Sequence, residues 1–409
     1  MIAVLGLMLT GLPYMYGVAI AASLAVLVVM FAAISLLPAL LSYLGPNVDR
    51  WRLPLVGRHK PAAEGNEDSL AWRWSHAVQR RPWTAAIVAT AILLALAAPA
   101  LGMRLGFPDA GNDPPSTMTR QSYDLISQGF GPGTNGPLVL AAELPGPQAK
   151  PAIDKLAERL RQEPGVNFVA DPQINEQGDA ALLTVIPTTS PQAAETSDLV
   201  HRLRDDVVPT ALQGSGVTAQ IGGVTPALED QIEYITGRMP LFIAGVVGLS
   251  FLLLLVAFHS PLISLKAAIM NLLSVGAAYG VMTLVAKGGS FAEFIGIDHE
   301  VPIAPFMPVM MFAILFGLSM DYEVFLISRI REEYLKHRDT RRAVADGLAK
   351  TARVITAAAA IMVVVFLAFL AAPDVFLKLF GIGLASATAR RVSPCLRYSS
   401  RIREIRKTS

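Results

Sequence analysis

Apolar residues run in blocks along most of this chain, and the polar residues gather in the gaps between them. Six blocks reach membrane-spanning length: Gly17–Leu41, Thr84–Met103, Met239–Phe258, Leu262–Ala286, Phe306–Ser328 and Val354–Ala372. Met1–Leu9 is apolar but too short to span, and Gly11-Leu12-Pro13-Tyr14 breaks it. No basic region precedes it as in a signal peptide, so the expectation is a chain that starts inside a helix, truncated relative to a longer ancestor. Phe376–Ala389 supplies an apolar stretch short of the roughly 17 residues a span needs.

The polar gaps differ in kind. Asn47–Trp83 is a linker with seven basic residues and four acids, and its segment SLAWRWSHAVQRRPW mixes Trp72, Trp74 and Trp83 with arginines, as in a helix lying at the headgroup level. Arg104–Arg238 has the size of one soluble domain. Its pattern predicts a strand at Gly136–Leu144 and a helix at Pro147–Gln162 with Ile153, Leu156, Ala157 and Leu160 on one face. Strands in GVNFVA and DAALLTVIP follow, then a helix at Pro191–Val208 opened by proline, and a strand at Val217–Gly223. That order is β-α-β-β-α-β, the split ferredoxin-like arrangement. The expected organisation is therefore membrane helix in 1–45, linker in 46–83, a span in 84–103, an α+β domain in 104–238, a membrane bundle in 239–372, and a short last helix with a basic tail in 373–409.

Composition agrees with a polytopic membrane protein: 53% of the 409 residues are hydrophobic and 16% charged. The net charge of +2 decides nothing, but its distribution does. The α+β domain holds nine basic and seventeen acidic residues, whereas the gap Arg329–Arg353 holds eight basic and four acidic ones. Basic gaps stay on the cytoplasmic side, so the linker and Arg329–Arg353 are expected there and the acidic domain outside, together with Lys287–Pro305. Counting spans gives the same alternation. The one cysteine, Cys395, excludes an intrachain disulfide and a cysteine-based zinc site. His299-Glu300 lacks the second histidine of a zinc protease, and no phosphate-binding glycine loop occurs. Nothing points to nucleic acid, and no cofactor is called for.

One block breaks its own pattern. In FMPVMMFAILFGLSMDYEVFLISRI, Phe306–Ile330, the sequence Asp321-Tyr322-Glu323 interrupts an apolar helix. A carboxyl group at membrane depth costs about 2.5–3.5 kcal/mol on insertion scales. Asp321 lies about 12 Å inside the basic end that begins at Arg329, too deep for its short side chain to escape. Gly317, one turn earlier, puts a small residue on the same face, where a second helix can approach and shield the acid. Glu323 points elsewhere, and a structural and a solvated role stay equally open for it.

The segment GLSMDYEVFLISRIREEY resembles the hallmark of the MmpL-type transporters of the resistance–nodulation–division superfamily. RRPW opening a span, GFGPGTNGPLVL and TARVITAAAAIMVVVFLAFL carry the same likeness, which extends from about Gly17 to Ala385. The resemblance implies two repeats, each with one membrane helix, an extracytoplasmic porter domain and five further helices. It implies export of lipids or hydrophobic compounds driven by protons, with protons the coupling ion and no other cofactor. Asp321 and Tyr322 fall on the family's Asp-Tyr proton relay, Gly317 packs near it, and Phe325 is placed by the same likeness in the relay cavity. The implied partners are the bilayer, a lipid or hydrophobic cargo, and either a first-repeat half or a second copy of the chain.

Relative to that pattern the chain departs at both ends. Of the first repeat it matches only the end of the fifth helix and the sixth, and at the other end Phe376–Ala389 turns into RRVSPCLRYSSRIREIRKTS, the membrane pattern being lost after Ala385 as in a shifted frame. An inactive fragment or a non-transporting membrane scaffold is the competing expectation. An intramembrane aspartyl protease would need a second apposed carboxylate, and Asp374, after Pro373 at a helix end, is the one alternative acid.

Overall fold

A computed structural model describes residues 2–45, 81–297 and 299–396. The interfacial helix expected before Arg81 and the basic tail beyond 396 lie outside the described residues. Among the described residues, five helices are long and apolar enough to cross a membrane, and two shorter apolar helices accompany them.

The chain starts with a helical turn, Ile2–Leu5, and a 3-10 turn, Gly6–Thr10, ahead of α1 (Pro13–Leu44). Pro13 sits in the first turn of α1, where its missing N–H costs nothing. The expected second span is α2 (Pro82–Ala97), continued by a 3-10 turn over Ala98–Gly102. Pro99 cannot donate into the α ladder, so the last turn tightens. Helix and turn together reach about 34 Å, enough for a hydrocarbon core of about 30 Å.

The α+β domain follows. Helix α3 (Met118–Phe130), which the apolar pattern does not reveal, is capped by Thr117, whose Oγ1 accepts from the Arg120 N–H at 3.3 Å. Then come β1 (Leu138–Glu143), α4 (Lys150–Arg161), β2 (Val166–Val169), β3 (Gln173–Ile174), β4 (Ala180–Pro187), α5 (Ala194–Arg202) and β5 (Thr218–Gly222). The sheet order is β2-β4-β1-β5 with every neighbour antiparallel, and β3 is a short addition paired with β4. This is the ferredoxin-like order expected from β-α-β-β-α-β. Alternation along β4 buries Ala181, Leu183, Val185 and Pro187 on one face, against Ile153, Leu156 and Leu160 of α4 and Leu199 of α5.

From β5 the chain enters α6 (Val224–Phe258) across Gly223 alone, at φ 103°. Thirty-five residues make a rod of about 52 Å. The expected span began at Met239; the polar turns before it are helical too, so α6 carries the end of the sheet directly into the membrane bundle. Helix α7 (Pro261–Ala286) follows a two-residue turn in which His259 takes a positive φ of 53°. Helices α8 (Phe306–His337), α9 (Thr340–Leu367) and α10 (Val375–Leu396) complete the bundle.

The expected charged loop Arg329–Arg353 is a helical hairpin instead. Helix α8 runs on to His337, and only Arg338 and Asp339 separate it from α9, with Arg338 at φ 54°. Ion pairs one turn apart support the extra turns: Arg329 with Glu332, Lys336 with Glu332 at 2.9 Å, and Arg342 with Asp346 at 3.5 Å. High charge ends the membrane pattern without ending the helix.

Phe242, Phe312 and Phe316 anchor the bundle core, the last two stacked at 5.2 Å between ring centroids. Two contacts bring backbone close. A Cβ on Gly280 of α7 would lie 1.8 Å from the Leu96 carbonyl oxygen of α2, and one on Gly381 of α10 would lie 2.6 Å from the Phe366 carbonyl oxygen of α9. Outside the helices, Leu105 and Ile303 form a parallel bridge: the Gly106 N–H donates to the Ile303 carbonyl at 3.0 Å and the Ile303 N–H to the Arg104 carbonyl at 2.9 Å. This bridge ties the lead into the α+β domain to the segment that starts α8.

Candidate membrane relay site

Helix α8 presents three different faces to its surroundings, and each carries a polar group. Phe312 and Phe316 lock its orientation in the core. Four residues on from Leu315, Ser319 faces α7, where its Oγ donates to Asn271 Oδ1 at 2.5 Å. Asn271 is buried at 4% exposure, and its Nδ2 lies 3.4 Å from Glu323 Oε2 and 3.2 Å from Met320 Sδ. Ser319 and Glu323 are one turn apart and so share this face. Of the two roles open for Glu323, the geometry favours the structural one: its carboxylate meets a buried amide across the α7–α8 seam.

Tyr322 points inward on a second face. With Ser274, Leu315, Ala387 and Thr388 it lines a cavity of about 10 Å³ between α7, α8 and α10, at the margin of what holds one water. Asp321, about 100° away around the helix, lies on the third face, exposed together with Val324 and Phe325. The adjacent pair thus diverges. Gly317 is on the Asp321 face and meets Ala3 of the first helical turn; a Cβ added there would come to 3.6 Å, an ordinary contact. Among the described residues, helix backbones come much closer at Gly280 and Gly381 than at Gly317.

Asp374 is occupied elsewhere. Its Oδ1 accepts from the N–H groups of Phe376 at 2.7 Å and Leu377 at 3.3 Å, capping α10.

Asn271 and Ser319 were not legible as site residues. One signal was present: an asparagine inside an apolar span must find a hydrogen-bonding partner in its bundle. At the other end of the molecule, His299 Nε2 lies 3.1 Å from Asn112 Oδ1, and Asn112 Nδ2 donates to Gln192 Oε1 at 2.6 Å. Next to this junction, a cleft of about 580 Å³ opens between Asp109, Met118, Tyr123, Ile126 and Asn135. Burial pushes the Asp109 carboxyl above its ordinary range, against hydrogen bonds from Tyr123 and from the Gly111 N–H at 2.9 Å. Burial raises the Tyr123 hydroxyl as well, and the charge of Asp109 adds to that.

Comparison with known proteins gives the same placement. Membrane protein YdfJ of Bacillus subtilis is 33% identical over 387 residues, 94% of this chain and 52% of YdfJ. The mycolic acid-containing lipids exporter MmpL11 of Mycolicibacterium smegmatis is 32% identical over 95% of this chain and 41% of its own length. The heme uptake protein MmpL11 of Mycobacterium tuberculosis is 33% identical over 94% of this chain and 40% of its own length. The chain therefore spans about half the length of the curated relatives it matches, or less. The MMPL family model matches residues 1–85 and 114–389, and the second stretch takes in the α+β domain from β1 onward, the acid-bearing helix α8 and the two helices packed on it. Six apolar blocks, a ferredoxin-like domain between the second and third, and this match leave one placement: the chain is a multi-pass membrane protein that belongs to the MMPL family.

Proposed function

We propose that this chain forms one repeat of a transporter that uses the proton gradient to export lipids or other hydrophobic compounds across the cell membrane. In this reading Asp321 carries the proton. Tyr322, on the neighbouring face, senses the packing of α7 and α10 around a cavity with room for about one water.

One observation carries the reading. Asp321 interrupts an apolar helix whose other two faces are packed, and past the contact of Gly317 with Ala3 its own face is exposed at Asp321, Val324 and Phe325. A lone carboxylate facing lipid is costly and stays protonated. A second bundle covering that face turns the same carboxyl into a switch: protonated it tolerates an apolar neighbour, ionised it demands a polar or charged one. The partner bundle is either a first-repeat half or a second copy of this chain. The acidic α+β domain then lies outside the cell and the Arg338-Asp339 turn inside, in line with the basic residues around that turn. One relative is named as an exporter of mycolic acid-containing lipids, which supports a lipid cargo moved outward, and another is named for heme uptake, so the names do not fix a particular molecule.

The test uses an assembly that contains this repeat and transports a lipid cargo. Asp321→Asn keeps the shape and removes the titratable proton, so transport is lost while insertion and folding persist. Tyr322→Phe is partly defective. Full activity of Asp321→Asn would overturn the proton role. Purified chain alone in liposomes under an imposed proton gradient is expected to move neither cargo nor protons; an Asp321-dependent proton flux there would show that no second bundle is needed.

A further inference from the structure

At the turn between α8 and α9, Glu333 is 1% exposed, although it lies in the charged part of α8. Its two oxygens have unlike surroundings. Oε1 receives Lys350 Nζ at 2.9 Å, Lys336 Nζ at 3.4 Å and Arg329 Nε at 3.9 Å. Oε2 is buried and has no hydrogen-bond partner among the described residues. A buried carboxylate oxygen left bare is unfavourable, and three cations on one side do not reach the other.

Two further donors lie close to the Glu333 carboxyl group. His337 is one turn after Glu333 and shares its face of α8, and Asp346 comes from the second turn of α9 across the hairpin. The ligand atoms of Glu333, His337 and Asp346 all lie within 4.8 Å of one another. A tetrahedral metal with bonds of 2.0–2.2 Å needs its ligand atoms about 3.4 Å apart. His337 is exposed and Asp346 half-buried, so rotation of these two side chains closes the difference while Glu333 stays fixed.

We propose that Glu333, His337 and Asp346 form a zinc site that clips the α8–α9 turn. The donor set, one imidazole and two carboxylates with a fourth position for water, suits Zn²⁺. Mg²⁺ and Ca²⁺ prefer oxygen ligands throughout, so the imidazole of His337 selects against them. The metal would reach Glu333 through Oε2 and leave Oε1 on its lysines. Since α8 also carries Asp321, zinc at its end fixes the register of that helix against α9. The site is independent of the transport reading.

The test is a titration of the tag-free full chain, purified in detergent, with Zn²⁺ against a chromophoric chelator. One zinc per chain is expected, undisturbed by millimolar Mg²⁺. His337→Ala is expected to weaken binding about a hundredfold, since even loss of outer partners of metal ligands costs 10–100-fold. Glu333→Gln, which keeps the shape and an oxygen for Lys350, is expected to weaken it as well, and His299→Ala to leave it unchanged. A melting curve of each variant confirms folding. No stoichiometric binding, or binding that His337→Ala leaves intact, would mean an adventitious ion only and overturn the proposal.

Discussion

Replacing Gly280 by alanine tests whether α2 belongs to the bundle. The added Cβ falls 1.8 Å from the Leu96 carbonyl oxygen, 2.9 Å from the Leu96 carbonyl carbon and 3.1 Å from Ala97 Cα. All three are backbone atoms, so no rotamer change relieves the clash. Restoring ordinary contact requires α2 to retreat by about 1.5 Å at that level, where packed interiors have little slack. Overpacking costs about 1–3 kcal/mol, and a backbone clash sits at the upper end of that range. Alanine is favoured over glycine in a helix by about 1 kcal/mol, which offsets part of it. The net expectation is a loss of about 2 kcal/mol. Gly237 in α6 is the control: it is exposed, nothing lies within 4 Å of its would-be Cβ, and Gly237→Ala should gain about 0.5–1 kcal/mol from propensity alone. Apparent melting temperatures of the purified variants in one detergent, followed by loss of the monodisperse peak, give the comparison. Gly280→Ala melting at or above the parent would refute the backbone contact between α2 and α7 and the placement of the second span.

Other expected outcomes are more local. Asn271→Leu removes the partner of Ser319 and the amide facing Glu323, and each buried polar group left unpaired costs about 1–3 kcal/mol; the variant should melt lower than Asn271→Gln, and equal melting would mean the α7–α8 polar seam is not formed. The Asp109 carboxyl is raised in the folded chain, so it binds its proton more tightly there than in the unfolded chain. Stability should therefore fall as pH climbs from the ordinary carboxylate range through the raised folded value and level off above it. Asp109→Asn should flatten that fall in denaturation measured across pH, and an unchanged profile would count against it. A reporter inserted in the Asn175–Gly178 turn should read outside the cell and one at Arg338-Asp339 inside; the same side for both would contradict the alternation of spans.

Much was legible in the chain itself because membrane segments announce themselves locally. A run of about twenty apolar residues is required by the thickness of the bilayer whatever its neighbours do. Strand alternation and the helical face of Ile153, Leu156 and Leu160 follow from periods of 2 and 3.6 residues. So the spans, the order of the ferredoxin-like domain and Asp321 as an anomalous acid were all available without tertiary information. Helix ends were less so. The charged turns of α8 and α9 and the polar turns of α6 stay helical because of ion pairs and continuity, which a hydrophobicity pattern cannot register.

Only the tertiary structure decided which face of α8 meets which neighbour. Asp321, Tyr322 and Glu323 are consecutive, yet one is exposed, one lines a small cavity and one meets Asn271 across a seam, because a helix turns about 100° per residue and its rotation is set by Phe312 and Phe316 in the core. In the same way, nothing local marks Gly280 as a close helix contact, or Glu333 as the buried carboxylate facing His337 and Asp346. Those depend on residues 184 and 13 positions away, brought close by packing alone.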